Sequence, residues 1–372
     1  MHQSMQSGSM ARAAPALPSE HASSILRNMK TSLHALELTP RLLRYRSSVD
    51  GTKPLLVDVC FKPSRKKQPL IVVMHGYSGG RDPVRPDIVR LAKKGLFAIA
   101  PDMRGRGGSA GQWDSGGLDV MDIYDAVQFC LRRFAGQIDA SNLNVMGYSG
   151  GGGNAFSCFV RFPDLFRVAA SFFGVPDYAA FYRLRGRPDC NRIMVETLGG
   201  TPSRLPAVYA ARHATLAARN NGQTRFHIFW DEAETACPGS MDEDFIRASR
   251  AAGHKNCIEH RSRKGDRVRW HHGYTTDWPE LIEAEDIFVP EILRRRVPEP
   301  KLPLSGRLVV PGYVVTRHFE LWVEPAGKPA PAGPSGVAEV QYCLDGTRAE
   351  FTVLSVARGP RVRIVGKGTD TG

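Results

Sequence analysis

The sequence predicts an α/β architecture: a mostly parallel, doubly wound sheet covered by helices, followed by a small antiparallel β module. Three observations carry this. Between residues 41 and 297 short apolar runs alternate with helical stretches, the pattern of strands buried on both faces and joined by crossover helices. A serine among glycines, Gly147-Tyr148-Ser149-Gly150-Gly151, falls where one such run meets one such stretch. After Pro298, Pro300 and Pro303 the composition turns β-branched and glycine-punctuated, without helical period.

Taken in order, residues 1–40 are rich in Ala, Ser and Pro, with a faint helical pattern at 25–38, and are expected to form a flexible arm. Strands at 42–48 and 55–61 flank Asp50-Gly51, a hairpin turn whose glycine supplies the positive φ. Buried-type strands follow at 70–74, 96–100, 143–146, 168–173 and 225–230, with helices at 84–94, 118–134, 150–161 and 242–252 and a closing helix at 280–296. The segment 176–221 interrupts this alternation and is expected to cap the pocket. A separate module over 305–372 is expected to hold strands at 308–315, 319–323, 337–344, 348–356 and 361–365, with Asp345-Gly346 as a second hairpin turn and a proline-rich loop at 325–334. Its aromatics Tyr313, Phe319, Trp322 and Tyr342 alternate along strands, as core residues do, although a surface for a polymer or partner would use the same types.

Composition narrows the function classes. With 372 residues, 42% of them hydrophobic, the chain supports a sizeable core. Its longest apolar runs, at 70–74 and 96–101, fall far short of the roughly 20 residues a membrane span needs, so a soluble chain is expected. Residues 1–20 have no apolar stretch behind a basic start, which points to a cytoplasmic location. Seven scattered cysteines without a C-x-x-C pair read as reduced thiols rather than a zinc site. The formal charge of +13 comes largely from dispersed arginines, with clusters at 183–187, 261–269 and 294–296 that match no nucleic-acid module, so no nucleic-acid partner is expected.

The chemistry centres on the serine. In a G-x-S-x-G turn from strand into helix, the glycines let neighbouring backbones close in while the serine is held in a strained, exposed conformation at a helix N-terminus. A phosphate-binding loop would need Lys-Ser or Lys-Thr after its glycines, and Asn154-Ala155 stands there instead.

With that turn in place, the sequence resembles the α/β-hydrolase superfamily over about residues 41–296, and within it the catalytic domain of prolyl-oligopeptidase-like peptidases and acetyl-xylan-esterase-like or dienelactone-hydrolase-like esterases. Pro101-Asp102-Met103-Arg104-Gly105-Arg106-Gly107-Gly108-Ser109 resembles the turn after the family's next strand, and Leu198-Gly199-Gly200-Thr201-Pro202 a segment before its acid. The resemblance implies a triad in the chain order serine, acid, histidine. Ser149 is then the nucleophile. His75-Gly76-Tyr77 ends the strand at 70–74, so the N–H groups of Tyr77 and Gly150 would form the oxyanion hole, with His75 structural. Glu234, four residues before Pro238, is the expected acid, with Asp231 the alternative. His272, ahead of Gly273 and Tyr274, is the expected base, with His271 the alternative. Adjacent histidines on an extended chain point to opposite sides and no other ligands join them, so neither metal nor cofactor is expected.

These residues point to cleavage of carboxylic esters, small or polymeric, through an acyl-enzyme, with a peptidase or amidase as the alternative, since the same triad serves both. A non-catalytic binding protein on the same scaffold is the rival from another class. The sequence leaves the oligomeric state open.

Overall fold

The computed structural model describes residues 38–272, 279–324, 333–346, 348–356 and 360–367. The arm expected over 1–40 lies outside these residues apart from its last three, as do Gly273-Tyr274 and most of the proline-rich loop.

Eight strands form the main sheet: β1 Arg41–Tyr45, β2 Leu55–Cys60, β3 Gln68–Met74, β4 Phe97–Pro101, β5 Ile138–Tyr148, β6 Val168–Phe172, β7 Arg225–Asp231 and β8 Cys257–Ser262. Their spatial order is β1-β2-β4-β3-β5-β6-β7-β8. The first pairings, β1 with β2 and β2 with β4, are antiparallel, and those from β4 to β8 are parallel. Parallel pairing needs crossovers. They are α1 Arg85–Lys93, α2 Leu118–Arg133, α3 Gly150–Arg161 and α7 Ser240–Ala251, with α8 Pro279–Leu293 packed after the last strand. Strands β2, β4 and β6 are buried along their whole length, which is why they read as unbroken apolar runs. The chain leaves β3 for β4 on one side and returns to β5 on the other. Ligands in such sheets bind at this reversal, beyond the carboxyl ends of the strands. Met74 pairs with Gly147 in register, so the residues after β3 and after β5 emerge side by side.

The expected cap segment holds three short helices, α4 Tyr178–Leu184, α5 Pro188–Leu198 and α6 Pro206–Ala210. It leaves and returns at one place, where Asp177 bridges His213 and the Asp177 carboxylate caps α4 through the N–H groups of Ala179 and Ala180.

Beyond residue 300 lie two three-stranded antiparallel sheets. They are built from β9 Ser305–Pro311, β10 Tyr313–Val315, β11 Phe319–Glu324, β12 Val337–Asp345, β13 Arg348–Val356 and β14 Arg361–Gly366, in the orders β10-β11-β14 and β13-β12-β9. The single strand expected at 308–315 is broken at Gly312, whose φ of +78° lets the chain pass from one sheet to the other. Val314, Phe319, Leu321 and Tyr342 fill the core of these sheets, while Tyr313 and Val315, pointing the other way along β10, join the core of the main body. The aromatics that could have faced a partner are therefore packed: Tyr313, Phe319 and Tyr342 are buried and Trp322 stacks on Tyr313.

Arg161 secures the joint. Fully buried at the end of α3, it donates to the carbonyls of Gly116, Gly117, Ala211 and Pro311, and its guanidinium lies 4.5 Å from the Tyr313 ring centroid. Among the described residues, no helix is long and apolar enough to cross a membrane.

Candidate active site

Ser149 ends β5 and caps α3 with φ 53° and ψ −116°, a left-handed conformation unusual for a non-glycine residue. Close packing imposes it. A Cβ on Gly147 would overlap the Gly151 carbonyl, and one on Gly151 would overlap the Met74 carbonyl. The Ser149 N–H donates to the Phe172 carbonyl at 2.9 Å, which anchors the turn to β6.

The loop after β3 lies against this turn. A Cβ on Gly150 would fall 2.9 Å from the Tyr77 nitrogen, so the two backbones are in contact. His75 fixes how the loop presents itself. Its Nε2 accepts the Met103 N–H at 3.0 Å, which leaves the proton on Nδ1, and Nδ1–H donates to the Gly76 carbonyl at 2.8 Å. Burial holds this ring's pKa down to about 4, so it stays neutral near pH 7. The Gly79 N–H holds the same carbonyl at 3.2 Å. In a trans peptide the N–H points opposite to the C=O, so pinning Gly76 C=O aims the Tyr77 N–H away from His75. Gly150 N–H, in the first turn of α3, has no acceptor within its own helix. The Tyr77 side chain is fixed as well, with its hydroxyl 2.8 Å from Ser115 Oγ and its ring against both Arg106 and Trp113.

Glu234 lies in the turn after β7. Its Oε1 accepts the Ala236 N–H at 2.6 Å, and its Oε2 accepts both the His272 N–H at 2.5 Å and His272 Nδ1 at 3.0 Å. Burial alone would raise this carboxyl, but its bonds to His272 and Ala236 outweigh that and hold it at about 2. With Nδ1–H committed to Glu234, His272 Nε2 is the acceptor, and it faces Cys237 Sγ at 3.9 Å. That sulfur is also 3.8 Å from Ser149 Oγ. The thiol thus touches both serine and histidine. Burial pushes its pKa far up, so it is neutral.

The alternatives from the sequence are engaged elsewhere. Asp231 receives both arms of Arg269, at 2.6 and 2.8 Å, together with the Ser262 hydroxyl at 2.7 Å. Burial alone would raise its carboxyl, yet these donors hold it below its ordinary value. A carboxylate saturated in this way is a brace between β7, β8 and the histidine loop rather than a partner of either histidine. His271 turns its Nδ1 back onto the His272 carbonyl at 2.5 Å. Sequence reasoning missed Cys237 and Arg269. Their positions, just before Pro238 and three residues before His272, were the available signal. Among the described residues no cluster of three or more His, Cys, Asp or Glu side chains could hold a metal ion.

Residues 84–231 match the sequence model of the prolyl oligopeptidase family. A curated relative, the uncharacterized peptidase YtmA of Bacillus subtilis, is 30% identical over 130 residues, which is 35% of this chain and 49% of that protein. The chain thus spans about half the length of the curated relative it matches. Among solved structures, Pyrococcus horikoshii acylaminoacyl peptidase superposes with a TM-score of 0.58 at 18% identity, covering 74% of this chain and 44% of that one. A Mycobacterium tuberculosis puromycin-hydrolyzing peptidase gives 0.55 at 20% identity, covering 66% and 38%. An esterase of Pyrococcus furiosus gives 0.51 at 14% identity, covering 77% of this chain and 98% of its own. At these identities the structures establish the fold. Within that α/β-hydrolase fold, residues 84–231 are the part that matches the prolyl oligopeptidase family.

Proposed function

We propose that this domain is a serine hydrolase that cleaves peptide or related amide bonds through an acyl-enzyme. The observation that carries the proposal is the Glu234–His272 pair, closed at 3.0 Å beside the strained Ser149 turn at the carboxyl edge of the sheet. In this reading Ser149 Oγ attacks the substrate carbonyl as His272 Nε2 takes its proton, Glu234 holds the tautomer, and the imidazolium returns the proton to the leaving amine. Water then repeats the sequence on the acyl-enzyme. The N–H groups of Tyr77 and Gly150 would receive the negative charge that develops on the carbonyl oxygen.

The sequence alone favoured esters. The family match and the curated relative, both peptidases by description, move amide cleavage ahead, and activated esters follow as easier substrates of the same machinery. The test compares kcat/KM on peptide p-nitroanilides and p-nitrophenyl esters, for the wild type and Ser149→Ala. Peptide turnover that falls by roughly a thousandfold or more in the variant is the expected result. Turnover confined to esters would return the assignment to a carboxylesterase, and turnover of neither would favour a binding protein on a hydrolase scaffold.

A further inference from the structure

Of the basic clusters in the sequence, two flank the candidate triad in the fold. Residues 261–269 lead into His272, and here the charges are largely paired within the protein: Arg261 with Glu232 and Glu243, Arg263 with Asp266, Arg267 with Glu283 and Arg269 with Asp231. Residues 183–187 lie at the junction of α4 and α5, and there the balance is different. The cap segment 176–221 carries seven arginines against three carboxylates. Arg187 pairs with Asp189, and Arg183 reaches Asp177 only at 4.0 Å. Arg185 and Arg192 are exposed and have no carboxylate partner among the described residues.

This part of the cap touches the catalytic loop. Gly186 is pressed so closely onto the turn after β7 that an added Cβ would strike the carbonyl oxygens of Thr235 and Ala236. The next residue in that turn is Cys237, which contacts Ser149 and His272. On the cap side, Arg185 and Arg192 line a cleft of about 430 Å³ together with Tyr182, Pro188, Asn191 and Glu196. Arg185 holds φ 53° at the C-terminus of α4, a conformation that Gly or Asn adopts more cheaply. The fold thus keeps a long cation where a small residue would cost less.

We infer that the α4–α5 cleft binds a carboxylate of the substrate through Arg185 and Arg192, so that the enzyme selects acidic acyl donors, such as peptides with an Asp, Glu or succinyl group on the acyl side. The inference rests on the serine hydrolase reading and adds the substrate class. Unpaired guanidinium groups at a pocket mouth attract anions and bind a carboxylate through paired N–H donors. Glu196, on the cleft wall, opposes this and sets its strength.

The experiment measures the second-order rate of Ser149 labelling by two fluorophosphonates of equal chain length, one neutral and one ending in a carboxylate. At low salt the anionic probe is expected to react about tenfold faster, with the advantage shrinking as salt is added. Arg185→Gln/Arg192→Gln should bring the two probes to the same rate, and Glu196→Gln should widen the gap. Equal rates on the wild type, or a ratio untouched by the double variant, would overturn the inference and leave the hydrolase reading intact. Failure of both probes to label the folded wild type would overturn the hydrolase reading itself.

Discussion

The sulfur of Cys237 lies 3.8 Å from Oγ of Ser149 and 3.9 Å from Nε2 of His272. In the proposed reaction the serine proton passes to His272, which needs the two groups within direct hydrogen-bond reach beside this thiol. Size at this position should therefore affect activity. Cys237→Ser, which keeps the volume, should leave the rate of fluorophosphonate labelling within about threefold, whereas Cys237→Leu should lower it by tenfold or more, because small misplacements at the reacting atoms are costly. Labelling kinetics of the two variants, checked by circular dichroism for folding, decide this; equal rates would show that the thiol is a bystander.

Two carboxylates three residues apart, Asp231 and Glu234, have different partners, and substitution separates their roles. Glu234→Gln replaces the carboxylate that fixes the His272 tautomer by a neutral amide and should lower kcat by about 10²–10⁴-fold, with a loss of melting temperature that narrows as pH falls from 4.5 toward 2. Asp231→Asn leaves Arg269 and Ser262 with a weakened partner, and should instead cost about 1–3 kcal/mol of stability while the folded enzyme stays active. Steady-state kinetics and urea denaturation on the pair make the comparison. A large kcat loss in Asp231→Asn would reassign the acid.

Acid should act through His75 before it acts through Glu234. His75 is held at about 4 when folded against an ordinary 6.5, so between these values the unfolded chain binds a proton that the folded chain refuses, and stability is lost as pH falls from about 6.5 to 4. Glu234, held at about 2 against 4.5, contributes stability that is full above 4.5 and is lost as pH falls from there toward 2. Comparing the wild type with His75→Gln across the first window isolates the histidine. The melting-temperature advantage of the wild type should shrink on acidification from 6.5 to 4; a constant gap would mean that His75 does not titrate there.

The C-terminal sheets should unfold with the main body. Arg161 satisfies carbonyls from three segments and packs on Tyr313, so Arg161→Met would strand several buried acceptors at about 1–3 kcal/mol each. Loss of more than about 3 kcal/mol, with a single cooperative urea transition, is the expected outcome. Two separated transitions would instead mark the sheets as an independent unit.

Much of this was legible in the sequence because the main strands are buried on both faces and so appear as unbroken apolar runs, and because the Ser149 turn needs glycines that betray it. Strand β8 was not, since Cys257–Ser262 is an edge strand whose Glu259, His260 and Arg261 break any apolar pattern. The helices α4 to α6 were also missed: they are short, begin at a proline or after a capping aspartate, and take their stability from packing rather than from periodicity. The Glu234–His272 pairing could be argued from chain order, but the brace between Asp231 and Arg269 depends on two strands meeting in space. The contacts of Cys237 with Ser149 and His272 are likewise tertiary.

The most direct measurement is covalent labelling of the wild type and Ser149→Ala with a neutral fluorophosphonate, with the modified peptide mapped by mass. Labelling is expected to saturate at one site per chain, on Ser149, and to vanish in a variant that remains folded. A folded wild type that resists the probe, or a label on another residue, would contradict an activated serine at the β5–α3 turn.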